Sequence, residues 1–242
     1  MDSVYEMVTL SFAPGIFGLS YFFYGARYGP KKSRPLILLF LAGLVAGPLA
    51  LGMFEAIELV PVYKQAIQEL GMGNDGILLA LSLFVIGPIE ELAKFLMLWL
   101  LLYKRREFDH PVDGLTYAAA VGLGFASIEN WYAMLEHGEP EWARAITLPF
   151  LHVLFSSFWG IGLSLAKFGQ TKRFRSMLFV SLPLAFIYHG LFDYIVISDS
   201  VSPLFVLPLV VLLWFFLSQS LRHLASNQSH QFFAPRKEKR VP

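Results

Sequence analysis

Glu90 and Glu91 are neighbouring carboxylates, and Lys94 follows one helical turn later. All three sit inside an apolar run from Ile77 to Tyr103. Elsewhere Glu129 with Asn130, His152, and the pair His189 and Asp193 interrupt other apolar runs. An ionisable group near a bilayer centre costs at least about 2.5–3.5 kcal/mol on insertion scales, and such groups mark function by default. Adjacent carboxylates add to that cost, because like charges oppose joint ionisation. They titrate as a coupled pair and can share one proton. A carboxylate in a low-dielectric site is a better base than in water. Histidine or a protonated acid can donate hydrogen bonds to a developing oxyanion. A glutamate base, a second acid and a His/Asp donor set together suit hydrolysis of an amide by activated water. The structural alternative is an i,i+4 ion pair between Glu90 and Lys94, which leaves Glu91 without a partner.

Other chemistries fit less well. Ser156 and Ser157 follow His152 within one turn, but helix packing explains them and no Ser-His-Asp arrangement is evident. There is no His-Glu-x-x-His zinc motif. No metal or other cofactor is expected. The alternative is zinc held by Glu129, His152, His189 and Asp193, should they converge. With no cysteine in the chain, disulfides and thiolate chemistry are excluded.

These groups must be carried by membrane helices. The chain has 242 residues, of which 56% are hydrophobic and only 15% charged, where soluble domains carry about 25% charged residues. Hydropathy predicts an all-α polytopic membrane bundle of about seven spans, at 4–24, 36–58, 77–103, 115–135, 146–166, 177–197 and 202–221. Residues 1–221 form one transmembrane domain, with the site core at 77–197. Residues 222–242 read as a basic, disordered cytoplasmic tail. Of the 19 Lys and Arg, all but Lys64, Lys94 and Arg144 fall in the odd loops or the tail. The positive-inside rule then places the N-terminus outside and the C-terminus in the cytoplasm of a cell-membrane protein. The N-terminus lacks a basic n-region, which argues against a cleaved signal peptide. Val62–Leu70 reads as a short amphipathic helix at the outer interface. Lipid is the evident surroundings, and nothing suggests a nucleic-acid partner. The oligomeric state is not encoded in any recognisable pattern.

Helical rise sets the depth of each polar group. Glu90 lies 14 residues before Lys104, Glu129 16 after Asp113, His152 15 before Lys167 and His189 14 after Arg175. At 1.5 Å per residue, all four stand about 21–24 Å above their own cytoplasmic charge markers. Scattered packing residues have no reason to agree in depth, so the four predict the lining of one cavity. His189 and Asp193 are i,i+4 and share a face, as do Phe125 and Glu129. Phe125 is placed to wall Glu129 off from lipid. Gly87-Pro88 should free a backbone carbonyl and kink the third span.

Four of these stretches resemble the motifs of PrsW-type intramembrane proteases. Glu90-Glu91-Leu92-Ala93-Lys94 resembles the EExxK signature, and Phe125 to Asn130 resembles the FxxxE motif. His152 resembles the third motif, and His189 to Asp193 resembles the HxxxD motif. Order and spacing match over residues 87–194. The family is similar to the wider CAAX-processing and bacteriocin-processing membrane proteases. The resemblance implies that Glu90 activates water with Glu91 as partner, and that His189 and Asp193 stabilise the oxyanion. The wider group ends its second motif in His. Here that position is Glu129, so His152 takes over the assistance to the base. Lys94, Phe125 and Asn130 are supporting residues. The best-known member makes the first cut in a membrane-spanning anti-sigma factor, which implies a membrane-protein substrate.

Two other functions compete. Buried Glu/His/Asp sets also form proton relays in transporters and channels, although no inverted repeat is evident. A seven-helix receptor with a retinal Schiff base needs a lysine in the last span, and Val201–Leu221 has none.

Overall fold

The computed structural model describes residues 2–24, 33–71 and 73–225, all helices and their connections without a strand. The helices are α1 (Asp2–Tyr24), α2 (Ser33–Ile57), α3 (Pro61–Gly71), α4 (Asp75–Leu81), α5 (Gly87–Leu98), α6 (Asp113–His137), α7 (Trp142–Phe168), the single turn α8 (Lys172–Arg175), α9 (Leu178–Ile197) and α10 (Val206–Ala225). Helix is the open-ended solution for an apolar chain in lipid, because it satisfies every backbone polar group within the segment.

Six stretches are long and apolar enough to cross a membrane: Ser3–Tyr24, Ser33–Ile57, Asp75–Tyr103, Trp142–Phe168, Lys172–Ile197 and Pro203–Ser220. The other expected span is α6. Its 25 residues reach about 38 Å, beyond the roughly 30 Å hydrocarbon core. It is less apolar because it touches other helices rather than lipid. It packs most heavily on α7 and α2 and also meets α1 and α5. Ala118, Ala119, Ala120 and Val121 are fully buried. Small residues there let neighbouring backbones come close. The lipid-facing burden falls on helices such as α2 and α10, whose Leu41, Val45, Val211 and Leu212 are exposed.

The expected short helix at Val62–Leu70 is α3, amphipathic and mostly exposed. Pro203 opens a 3₁₀ turn, and Pro208 lies in the first turn of α10, where a missing N–H costs nothing. α10 runs to Ala225, past the expected tail boundary at 221. The rest of the basic tail, and Arg27, Lys31 and Lys32 of the first loop, lie outside the described residues.

One local feature aims the site. The stretch Asp75–Tyr103 is continuous, but Ser82–Ile86 and Trp99–Tyr103 are π-helical turns. The first ends at Gly87-Pro88, where Pro88 has no N–H to give. A widened turn is a known way to absorb such a break. α9 lies directly against this turn. A Cβ on Gly190 would collide with the Ser82 carbonyl, and one on Gly87 would collide with the Phe186 carbonyl. The neighbours are backbone atoms, which cannot rotate away. Gly190→Val is therefore expected to lose about 1–3 kcal/mol through overpacking and to move His189 off its partners. A fall in thermal midpoint together with lost cleavage would show this; an unchanged midpoint would mean that α9 does not seat there.

Candidate active site

α5 carries Glu90, Glu91 and Lys94, α6 carries Phe125, Glu129 and Asn130, α7 carries His152, and α9 carries His189 and Asp193. These elements converge. His189 Nε2 lies 3.4 Å from Glu90 Oε2, and His152 Nε2 lies 2.8 Å from Glu129 Oε2. The two imidazole rings are 5.1 Å apart. The level that helical rise assigns to Glu90, Glu129, His152 and His189 is thus one cluster in space.

The two glutamates do not form a proton-sharing pair. Consecutive positions on a helix point about 100° apart. Glu91 points into the bundle and is fully buried. Its Oε1 accepts from Lys94 Nζ at 2.7 Å and His189 Nδ1 at 2.9 Å. Its Oε2 accepts from Trp159 Nε1 at 2.8 Å and Ser156 Oγ at 3.1 Å. Four donors fill the four acceptor sites of a carboxylate. Glu91 therefore ties α5 to α7 and α9. Lys94 reaches both glutamates, Glu91 more closely. Its ammonium is 3.7 Å from Glu90 but 2.7 Å from Glu91. It donates to His152 Nδ1 at 2.7 Å and lies 4.0 Å over the Phe125 ring. Phe125 thus faces the lysine by a cation–π contact, rather than screening Glu129.

This pattern makes the two histidines opposites. An ammonium only donates, so His152 Nδ1 is an acceptor, and the ring proton of neutral His152 sits on Nε2. His189 donates from Nδ1 to Glu91, and its Nε2 faces Glu90 and, at 3.8 Å, Asp193 Oδ2. Phe155 stacks on the His189 ring at 4.7 Å and fixes its plane.

Among the described residues, the buried polar atoms without an aligned hydrogen-bond partner include Glu90 Oε2, Glu129 Oε2, His152 Nε2 and Asp193 Oδ2, one from each of four helices. Buried polar groups need partners, and a water or a peptide group would supply them. The exposed fractions point the same way. Glu90 is 13% exposed, Asp193 15% and Glu129 27%, whereas Glu91 and His152 are fully covered. Asn130 is fully buried with neither amide atom aligned to a partner, and its geometry assigns it no role.

Three partners were not anticipated. Ser156, set down to packing, and Trp159 both donate to Glu91, and Arg144, set down to a loop, donates from Nη2 to Glu129 Oε1. The signal was periodicity. Positions 144, 152, 156 and 159 fall on one face of α7. Trp159→Phe keeps the bulk and removes one N–H. A hydrogen bond to a charged group is worth about 1.5–3 kcal/mol, so the thermal midpoint of purified Trp159→Phe should fall; no shift would mean that the indole is packing alone.

The chain matches the family model described as "PrsW family intramembrane metalloprotease" over residues 31–219. The chain belongs to the PrsW family of intramembrane proteases. Its relatives include Protease PrsW of Bacillus subtilis (strain 168), 29% identical over 88% of this chain and 93% of that one. Protease PrsW of Halalkalibacterium halodurans is 30% identical over 90% and 97% of the two chains. No solved structure matches the chain significantly. The PrsW match extends well beyond the motif region 87–194, into α2 and α10. A multi-pass membrane protease of this family acts on a membrane-protein substrate within a bilayer, which favours proteolysis over the transport and receptor readings.

Proposed function

We propose that this PrsW-family protease cuts a peptide bond of a membrane-anchored protein with water activated by Glu90. The observation that carries this is the difference between the two glutamates: Glu91 is saturated with donors, while Glu90 Oε2 lies unaligned at the accessible edge, facing His189 Nε2. Glu90 takes a proton from the water as the water oxygen attacks the carbonyl carbon. The neutral His152 donates from Nε2–H to the oxyanion, and the adjacent Lys94 ammonium favours the negative charge that develops there. Protonated Glu90 then delivers the proton to the leaving nitrogen as the C–N bond breaks. His189 orients Glu90 and is itself held by Glu91. This assignment moves the oxyanion role from His189 to His152, because His189 Nε2 is turned toward the carboxylates of Glu90 and Asp193. Asp193 and Glu129 bound the water and set its orientation.

The family description implies a metal. Glu90, His152 and His189 offer atoms within 4.8 Å of one another, the two-nitrogen, one-carboxylate composition that zinc accepts. His189 suits a ligand, since a carboxylate holds its other nitrogen. His152 does not. Lys94 occupies Nδ1, and Nε2 then bears the proton and has no lone pair to give. The expected alternative set of Glu129, His152, His189 and Asp193 fails at the same residue. As partnered here, the residues do not fit zinc, and no step is assigned to a metal. Purified enzyme dialysed against a chelator should keep its rate within about twofold of the untreated sample, well under the 10²–10⁴ that a general base contributes. Loss of activity on chelation, with recovery on adding zinc, would overturn this reading.

A membrane-anchored anti-sigma factor is the first substrate candidate, from the family resemblance. The distribution of Lys and Arg supports an N-terminus outside, and the depth counted from the cytoplasmic charges supports a site toward the outer leaflet. Comparing membrane proteins that accumulate with wild type and with an inactive variant would identify the substrate.

A further inference from the structure

A groove of about 1030 Å³ runs between α7, α9 and α10. Ile146 and Phe150 of α7, Phe192 and Val196 of α9, and Leu207 and Val211 of α10 form its walls. Ile146, Phe150, Leu207 and Val211 are exposed, so the groove opens to the outside of the bundle, where lipid lies.

The groove adjoins the site through residues that touch both. Arg144 lines it and also donates to Glu129. Phe192 lines it and meets Phe155, which stacks on His189. The accessible edge of the cluster, formed by Glu129 and Asp193, therefore borders the groove's inner wall. α10 is held along one face by Leu209, Leu213 and Leu217, with Phe216 stacked on Phe158 at 4.6 Å. Leu207 and Val211, which wall the groove, are left largely uncovered.

We infer that this groove receives an apolar, membrane-embedded segment of the substrate chain, so that the bond to be cut reaches Glu90 from between α7 and α10. The inference rests on the proteolytic reading and names the route and the class of segment recognised. The walls are aliphatic and aromatic, and they face a solvent of acyl chains. A water-soluble peptide would meet no complementary surface there. A segment already in the bilayer reaches the groove by lateral diffusion, with Arg144 and Glu141 as the charged residues at its head.

The chain has no cysteine, so a fluorophore on Leu207→Cys reports from one place. The full chain is placed in phosphatidylcholine vesicles with a Leu/Ala transmembrane peptide of about 20 residues carrying a mid-span quencher. Quenching at Leu207→Cys should saturate with peptide. A control label on Phe179→Cys, exposed at the opposite end of α9, should respond linearly. Thr147→Trp, at an exposed groove position, should weaken the apparent affinity about tenfold, equivalent to 1.4 kcal/mol. Linear quenching at both labels would overturn the proposal. So would quenching by brominated lipid at Leu207→Cys that peptide fails to displace, which would make the groove a lipid site. Glu90→Gln should keep the saturable quenching. Failure of the catalytic assignment would appear as retained cleavage in that variant, a separate readout from groove binding.

Discussion

Glu91→Leu should lose about 3–5 kcal/mol of stability, the usual cost of removing one member of a buried ion pair. The substitution strands the Lys94 ammonium, which is fully buried. It also leaves Trp159 Nε1, Ser156 Oγ and His189 Nδ1 without their acceptor. Each stranded donor carries its own desolvation penalty of about 1–3 kcal/mol. The double variant Glu91→Leu with Lys94→Met removes both charges, and apolar replacement of a whole buried pair is often close to neutral. It should recover part of the loss. Thermal midpoints of the purified proteins in one detergent check both statements. A Glu91→Leu midpoint equal to wild type would mean that Glu91 is not the tie between α5, α7 and α9.

Glu90→Gln should do the reverse. Its side chain is 13% exposed and Oε2 has no aligned partner, so a neutral isostere leaves packing unchanged and the midpoint close to wild type. Turnover should fall by about 10²–10⁴, the contribution of a positioned general base. Glutamine can still hold a water but cannot take its proton. The kcat for a membrane-anchored substrate in vesicles gives the answer; a rate within a few-fold of wild type would remove Glu90 from the chemistry. Adjacent residues of one type thus yield one folded, inactive variant and one destabilised variant.

The meeting of these groups was legible because membrane helices are straight rulers. Counting residues from Lys104, Asp113, Lys167 and Arg175 sufficed to place Glu90, Glu129, His152 and His189 at one level. Rotation was harder to read than depth. A π turn inserts an extra residue and rotates everything beyond it, and the turn at Ser82–Ile86 is marked only by Gly87-Pro88. Which glutamate faced inward was therefore hidden, and with it the choice of Lys94 for Glu91. Trp159 and Ser156 were overlooked because neutral donors in an apolar run look like packing. α6 was recognisable as a span by hydropathy, and its place in the loop-charge alternation agreed. Its polar residues are tolerated because α2 and α7 shield it from lipid.

The central claim is that water primed by Glu90, and not an enzyme side chain, attacks the peptide bond. Single-turnover cleavage of a co-reconstituted membrane substrate in ¹⁸O water tests this directly by mass spectrometry. The account predicts ¹⁸O in the new carboxyl terminus of the product from the first turnover, and none in the peptide containing Glu90. An unlabelled first-turnover product, with ¹⁸O found in the Glu90 carboxylate, would show that the glutamate itself had attacked and would contradict the account.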